Sequence, residues 1–418
     1  MDDYIVGLDI GSSKICASVG KYNKYGQLQI KGVTSVTCNG MKNGIIIDID
    51  STAKAIKECI TRLETMVDIS ISGFYISIPN RIASLVSSEG IVAVASENGE
   101  ITKKDVKRVI NASKIMKVPS DKEIIGVIPK QYIIDGYDKI KDPVGMSASR
   151  LEVEAYVILA ESAVINNLLK SVEKSGYKIL GMVFQPIADA KAVLITEEMD
   201  LGCALINVGG DSIDMSIYRG GKITHIDYIP LGGNNITNDI SICLKIPFSE
   251  AEKLKIKYAA VGKNKFSLEE QIKVNLGHSE TIKLDSNILM EVIEARVEEL
   301  LLLLKRKLKE SGHYEEISSI VIVGGGLSLI KGIEDFGREV FSKPFRVGTP
   351  EYVGAANPIY VSSVGVVKDV FSTMQNKSFD LKQKETAMTY EDILDNDNEE
   401  KQEKGVLSKI KEFLTEFF

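Results

Sequence analysis

Short apolar runs rich in β-branched residues alternate with longer stretches of helical periodicity along most of the chain. The clearest runs are YIVGLDI, FYISI, YKILGMVF, CALINVG and SSIVIVG, and each predicts a buried strand. The longest helical stretch is LDSNILMEVIEARVEELLLLLKRKLKESG, for which Ser286 or Asn287 is the predicted N-cap and Gly312 the predicted end. This alternation is typical of sheets covered by helices, so the sequence predicts an α/β fold.

The hydrophobic pattern changes near the C-terminus. Periodicity fades from about Thr373, and the segment MTYEDILDNDNEEKQEK carries seven Asp and Glu against two Lys. Because such a segment cannot bury enough apolar surface to offset the entropy of ordering it, we predict a disordered linker. The final segment, GVLSKIKEFLTEFF at residues 405–418, regains helical periodicity.

This final segment predicts an amphipathic helix, because its apolar side chains fall on one arc when residues are placed at about 100° steps. These side chains are Val406, Leu407, Ile410, Phe413, Leu414, Phe417 and Phe418. A helix of about 21 Å is too short to span a bilayer but is suited to lying in its interface. A helix packed on its own domain would show the same periodicity. The acidic linker before the segment and the aromatic residues at the end of the segment favour a helix that lies on a membrane.

Composition narrows the possible functions. The 418 residues are 44% hydrophobic, enough for two cores, and their formal net charge is −7. The chain has no basic block, which argues against nucleic acid as the main partner because phosphates are neutralised by clustered Lys and Arg. We expect no secretory signal, and no apolar run reaches the roughly 20 residues that span a bilayer.

One motif occurs twice, about two hundred residues apart. LDIGSSKICASVGK and INVGGDSIDMSIYRGG each place a strand, a glycine turn and a second strand in series, and alignment of Gly11 with Gly209 pairs Asp9 with Asn207. Glycine lets backbone N–H groups approach a phosphate, and a carboxylate at the end of the first strand suits hydrated Mg²⁺. Each turn alone is more typical of an ordinary hairpin. Together they predict a duplicated α/β unit with a nucleotide between its halves.

A third glycine turn follows the strand SSIVIV, where GGG at residues 324–326 precedes a predicted helix. Such a loop allows close approach by an adenosine and its phosphates, although a sharp strand-to-helix turn would have the same sequence. Three glycine turns that each follow a strand favour the nucleotide.

At this point the chain resembles the actin, Hsp70 and sugar-kinase superfamily and, within it, the FtsA family of bacterial cell-division proteins. The resemblance covers roughly residues 4–372. It is carried by DIGSSKI, DPVGMSASRLEVEAYVI, QPIADAKAVL, the second phosphate turn, SEAEKLKIKY, IVIVGGG and NPIYVSSVGVV. The segment from DPVGM to AYVI is the most specific, because it resembles a subdomain that FtsA carries in place of one found in actin. The helix TKKDVKRVINASKIM, with Thr102 as its cap, belongs to this insert.

The resemblance implies a two-lobed actin-like ATPase fold with an inserted subdomain. Its predicted parts are a first-lobe subdomain at residues 1–81, 164–190 and part of 355–372, the insert at 82–163, a second-lobe core at 191–236 and 310–354, a smaller second-lobe subdomain at 237–309, the linker at 373–404 and the amphipathic helix at 405–418.

The resemblance also implies ATP and Mg²⁺ in the cleft between the lobes. Asp9 would hold Mg²⁺ through water. Glu252 and Lys255 would lie near the base or ribose, and Gln185 would orient an attacking water, or would be a polar link between the lobes. The remaining predicted contacts are Gly11, Ser12, Ser13 and Lys14 and then Gly209 and Gly210 for the phosphates, and Gly324, Gly325 and Gly326 for the adenosine.

The second phosphate turn departs from the family pattern. Asn207 replaces the usual Asp, and Asp211 follows the two glycines where a small residue is usual. Asp211 could contact a metal or repel the terminal phosphate. Because a carboxylate is lost at Asn207, we expect ATP binding with slow or undetectable hydrolysis.

For partners, the resemblance implies self-association into filaments at the cytoplasmic membrane surface of the division septum, and binding of the FtsZ C-terminal tail to residues 237–309. Arg296 is the candidate contact, although a helix ion pair with Glu299 or another nearby Glu explains this arginine better. Two alternative functions remain. One is an ATP-binding protein of type IV pilus assembly; the other is a phosphotransferase, for which Asp214 would be the catalytic carboxylate.

Overall fold

A computed structural model of the chain describes residues 4–263, 271–275 and 281–387. Its strands are β1 (Tyr4–Ile10), β2 (Lys14–Tyr22), β3 (Leu28–Thr37), β4 (Met41–Lys42), β5 (Ile45–Ile46), β6 (Gly73–Ile78), β7 (Ala83–Ala93), β8 (Lys122–Ile134), β9 (Tyr137–Ile140), β10 (Arg150–Glu161), β11 (Lys178–Phe184), β12 (Cys203–Val208), β13 (Ile213–Arg219), β14 (Lys222–Ile229), β15 (Gln271–Asn275), β16 (Thr281–Asp285), β17 (Ser319–Val323) and β18 (Phe345–Val347). Its helices are α1 (Ile49–Val67), α2 (Lys103–Ala112), α3 (Ser162–Ser175), α4 (Gln185–Val193), α5 (Thr196–Leu201), α6 (Gly233–Leu244), α7 (Phe248–Tyr258), α8 (Ser286–Glu310), α9 (Ile333–Phe341) and α10 (Val361–Ala387), with short 3₁₀ helices at Asn80–Ile82, Tyr314–Glu316 and Pro358–Tyr360.

Two five-stranded sheets have the same topology. The first has the order β3-β2-β1-β6-β11 and the second the order β14-β13-β12-β17-β18, and in each the first three strands are antiparallel and the last three parallel. Register is shared too, because Asp9 lies opposite Cys16 as Asn207 lies opposite Asp214. The glycine turns therefore correctly predicted a duplicated α/β unit.

Helices cover both faces of the first sheet. Helices α1 and α3 pack on one face through Ile56, Leu63 and Ile165. On the opposite face, α10 packs with α4 against β1, and Val366 and Val367 are buried there. In the second lobe, α6, α8 and α9 enclose a separate core beside β12, β13 and β17.

The inserted subdomain is a four-stranded antiparallel sheet of order β7-β10-β8-β9 with α2 packed against β7 and β10. Val109 of α2 is fully buried in its core. Thr102 caps α2 as predicted: its side chain accepts a hydrogen bond from the Asp105 N–H, and the Asp105 carboxylate accepts one from the Thr102 N–H.

The structure corrects three local predictions. The N-cap of α8 is Asp285, whose side chain accepts from the Asn287 N–H at 2.8 Å, because β16 ends one residue before the predicted caps. The helix after the three glycines begins only at Ile333, since turns occupy the residues between.

The third correction concerns the predicted linker. Helix α10 continues to Ala387, so the backbone is helical where the linker was predicted to begin at Thr373. Met374 and Gln375, which follow Thr373, favour helix, and Met374 still packs against the buried cluster between α10 and the first sheet. The rest of the predicted linker and the amphipathic segment 405–418 lie outside the described residues. Among the helices that are described, none combines the length and apolar character needed to cross a bilayer.

Candidate functional site

A cleft lies between the two lobes where β1, β6, β12 and β17 end. In sheets of this kind, ligands bind outside the carboxyl ends of the strands. The structure brings together here every residue that the sequence analysis placed near ATP, namely Asp9, Gly11, Ser12, Ser13, Lys14, Gln185, Gly209, Gly210, Asp211, Glu252, Lys255, Gly324, Gly325 and Gly326.

The two phosphate turns have equivalent backbone geometry and face each other. The Gly11 N–H donates to the Lys14 carbonyl at 3.0 Å, and the Gly209 N–H donates to the Ser212 carbonyl at 2.9 Å. Close approach of the turns requires glycine at position 210, since a Cβ there would lie 1.9 Å from the Ser13 hydroxyl oxygen. The backbone of Gly210 therefore lies next to the Ser13 side chain, and the two turns offer N–H groups and a hydroxyl to a phosphate.

Asp211 is held by amide groups from both lobes. The Asn234 side-chain amide donates to one carboxylate oxygen at 2.7 Å, and the Asn43 N–H donates to the other at 3.3 Å. The same Asn234 amide lies 3.1 Å from the Ser13 hydroxyl. Asp211 thus links the first-lobe turn at Asn43 to the start of α6.

Asn207 belongs to a buried polar network beneath the cleft. Its amide donates to Asp189 at 2.7 Å and to the Ser362 hydroxyl at 3.1 Å, and the Gln185 amide donates to the same hydroxyl at 3.0 Å. Burial raises the pKa of Asp189 to about 8. A neutral Asn207 avoids placing two carboxylates in contact at this position.

Asp9 is a half-buried carboxylate at the end of β1. It accepts a hydrogen bond from the Ser77 hydroxyl at 2.5 Å. Burial raises its pKa, while the Ser77 hydrogen bond and the positive charge of Arg81 act in the opposite direction. A cation bound beside Asp9 would favour its ionised form, so this carboxylate fits the predicted role toward hydrated Mg²⁺.

Arg81 and Asp214 form an ion pair across the cleft, with nitrogen and oxygen 3.0 Å apart and each side chain only 10% exposed. Asp214 also accepts from the Ser212 hydroxyl and from the Arg81 N–H. The three hydrogen bonds to its two oxygens hold Asp214 in the ion pair and stabilise its charged form, which makes it a weaker base. Arg81 belongs to none of the predicted motifs, although its position soon after β6, a neighbour of β1, places it at the same end of the sheet as Asp9.

Lys255 and Glu252 lie on α7 at the second-lobe side of the cleft. The Lys255 ammonium donates to the Gly233 carbonyl at 2.9 Å and to the Thr237 hydroxyl at 2.7 Å, and it pairs with Glu252 at 2.7 Å. Burial lowers the pKa of Lys255. These bonds fix α7 against the start of α6.

The three glycines after β17 pack against the second phosphate turn. The Gly326 N–H donates to the Val208 carbonyl at 2.8 Å, and Gly324 has a φ of +84°, which favours glycine. A Cβ on Gly326 would lie 2.5 Å from the Gly209 carbonyl oxygen. The loop therefore packs against the start of the second phosphate turn, and it forms the side of the cleft predicted to take the adenosine.

Arg296 lies outside the cleft, on α8. Its guanidinium contacts Asp239 of α6 and Glu299 one turn further along α8, so the predicted helix ion pair is present. The Asp239 bonds raise the pKa of the guanidinium above its ordinary value. A shallow groove between α6 and α8 begins at this arginine and includes Ile242, which is 67% exposed, and Cys243.

The duplicated sheets, the cleft between them and the inserted subdomain define a protein of the actin-like ATPase fold. Solved structures with a similar fold include the PilM–PilN type IV pilus biogenesis complex, with TM-score 0.61, 15% identity and coverage of 87% of this chain and 97% of that one. MreB5 of Spiroplasma citri bound to ADP has TM-score 0.54 and 15% identity, with coverage of 91% and 99%. At these identities the likeness concerns the fold alone.

Sequence comparison identifies the family. The model for cell division protein FtsA matches residues 204–365, and the model for the SHS2 domain inserted in FtsA matches residues 81–159. The cell division protein FtsA of Bacillus subtilis is 35% identical over 368 residues, which cover 88% of this chain and 83% of that protein. The chain belongs to the FtsA family of cell division proteins.

Proposed function

We propose that this protein binds ATP in the interlobe cleft, self-associates at the cytoplasmic face of the membrane, and tethers FtsZ filaments there during septum assembly. The observation that carries the proposal is the pair of equivalent glycine turns facing each other across one cleft in a chain of the FtsA family. The roles of FtsZ, the membrane and the septum are those that the resemblance to the FtsA family implies.

The cleft suits a nucleotide in three respects. Backbone N–H groups of the turns at Gly11 and Gly209 can contact phosphates, Lys14 supplies positive charge beside them, and the glycines at residues 324–326 leave room for an adenosine. Asp9 would hold Mg²⁺ through water. When bound, the metal would neutralise phosphate charge.

We expect slow hydrolysis because the groups that would activate water are engaged elsewhere. Gln185 donates to Ser362, Asn207 carries no charge, and both oxygens of Asp214 accept hydrogen bonds. Binding energy in this site would then serve to close the lobes rather than to accelerate chemistry.

The groove between α6 and α8 is the proposed site for the FtsZ tail. It offers an exposed apolar surface at Ile242 beside the cationic Arg296. In the free protein Arg296 is neutralised by Asp239 and Glu299, so an acidic peptide would have to compete with these carboxylates. Apolar contacts would therefore supply much of the affinity.

Titration of the purified protein with Mg-ATP, followed by calorimetry, tests the nucleotide part of this proposal. We expect saturable binding and a turnover well below about ten per second. Lack of binding at about 1 mM ATP would refute nucleotide binding, and turnover at about ten per second would refute the expectation of slow hydrolysis.

A further inference from the structure

Arg81 lines the cleft at a point where the two lobes are in contact. It lies in the short helix Asn80–Ile82, where the first lobe leads into the inserted subdomain, yet both of its side-chain hydrogen bonds cross to the second lobe. Its Nη1 donates to the Ser212 hydroxyl at 2.6 Å and to Asp214 at 3.0 Å. The guanidinium thus joins first lobe, insert and second phosphate turn.

The guanidinium keeps hydrogen-bonding capacity that the protein does not use. Its Nε is buried, and none of the described residues accepts a hydrogen bond from it. A buried donor without an acceptor costs about 1–3 kcal/mol, so such groups are rare without a function. The Nε packs against Gly44, so a ligand in the cleft that Arg81 lines would contact the guanidinium through its other nitrogens.

A small hairpin packs against the guanidinium. Strands β4 and β5 are joined by Asn43 and Gly44, both with positive φ, as a tight hairpin turn requires. A Cβ on Gly44 would lie 1.7 Å from the Arg81 Nε. The Gly44 N–H donates to the Ser12 hydroxyl of the first phosphate turn at 3.1 Å. Arg81 is therefore fixed beside both phosphate turns.

The direction of the second turn indicates which phosphate would reach Arg81. Gly209, at its start, contacts Gly326 on the predicted adenosine side, whereas Ser212, at its end, binds Arg81. Arg81 therefore lies at the end of the turn away from the predicted adenosine. Asp9, Asp211 and Asp214 are all nearby, so a terminal phosphate placed there needs a cation.

We infer that Arg81 binds the terminal phosphate of the nucleotide and thereby makes the cleft select a nucleoside triphosphate over the corresponding diphosphate. The inference rests on the proposed nucleotide binding. A guanidinium is a geometrically matched donor for phosphate oxygens, and it is already oriented here by Asp214 and Ser212. Triphosphate binding would also strengthen the contact between the lobes.

Calorimetric dissociation constants for Mg-ATP and Mg-ADP, measured on the full chain and on R81Q and R81K, test this inference. We expect R81Q to lower ATP affinity about tenfold or more and ADP affinity less than about threefold. R81K keeps a cation beside Asp214 but loses the planar set of guanidinium N–H donors. We therefore expect a loss of ATP affinity that is smaller than in R81Q, with ADP affinity again little changed.

The matched control is R346Q, because Arg346 also pairs with a carboxylate, Glu198, but lies outside the cleft. Its ATP-to-ADP affinity ratio should equal that of the unmodified chain. If R81Q lost affinity for ATP and ADP equally, the inference would be overturned while the proposed function would stand. If R81Q does not fold, an unchanged ATP-to-ADP affinity ratio in R81K would overturn the inference in the same way. An unmodified chain that binds neither nucleotide would refute the proposed function and the inference together.

Discussion

Asp189 is a carboxyl group that the fold buries against Asn207, one layer below the cleft. Its pKa is raised to about 8 because burial disfavours the charged form. In the unfolded chain the group titrates near 4. The folded state therefore retains a proton that the unfolded state releases between these two values.

A pH series of unfolding free energies on D189N tests this account at the scale of one residue. In the unmodified chain, Asp189 contributes its full stability below about pH 4 and loses it progressively as pH rises toward about 8. Asn has an oxygen that can accept the Asn207 hydrogen bond and has no charge to bury.

The free energy of unfolding of D189N should therefore equal that of the unmodified chain near pH 4 and exceed it by more than about 1 kcal/mol near pH 8. The control is D285N at the exposed N-cap of α8, which should show no such growing gain. A D189N difference that stays constant with pH, or reverses sign, would contradict the raised pKa.

Single residues of the site differ in how far the sequence predicts them. Residues such as Gly11 and Lys14 belong to short motifs whose spacing already implies a turn that can bind phosphate. Asp189 and Arg81 carry no such local signal, because their roles depend on burial and on partners 18 and 133 positions away in the chain. Only the assembled lobes create those environments.

Helix α2 shows an element whose boundary follows from a local rule. Thr102 and Asp105 form a reciprocal capping box, and the Thr102 hydroxyl also contributes to lowering the Asp105 pKa. T102A should lower the free energy of unfolding of the insert by about 1 kcal/mol, because the Asp105 N–H loses its acceptor. Hydrogen exchange of amides in β7 and β10 reports the insert directly.

The control for T102A is T65A on α1, where an exposed Thr hydroxyl only bonds back to the Thr61 carbonyl. We expect T65A to lower the free energy of unfolding by less than about 0.5 kcal/mol. Equal effects of the two substitutions on the insert would contradict a stabilising cap at Thr102.

Elements without local rules were harder to predict. Strands and the start of α2 followed from hydrophobic runs and a capping sequence. The extension of α10 to Ala387 did not, because the sequence after Thr373 is helix-forming but has little hydrophobic periodicity. Hydrophobic periodicity predicts helices that bury one face, and it does not detect a helix whose sequence lacks that pattern.

At the scale of the whole molecule, the proposed function couples an ATP-binding body to a weak membrane contact. Seven apolar side chains at residues 405–418 would contribute at most about 10 kcal/mol of burial, reduced by helix formation and lost motion. A single copy should therefore bind membranes reversibly. Self-association would raise the effective concentration of these helices and hold the assembly firmly.

Recruitment of fluorescent FtsZ filaments to lipid vesicles tests whether this protein tethers FtsZ to a membrane. With ATP and the full chain present, we predict that FtsZ accumulates on the vesicles. A chain lacking residues 405–418 should still bind ATP but leave FtsZ in solution. FtsZ that stays in solution while the full chain is on the vesicles, or that is recruited equally by the truncated chain, would contradict the account.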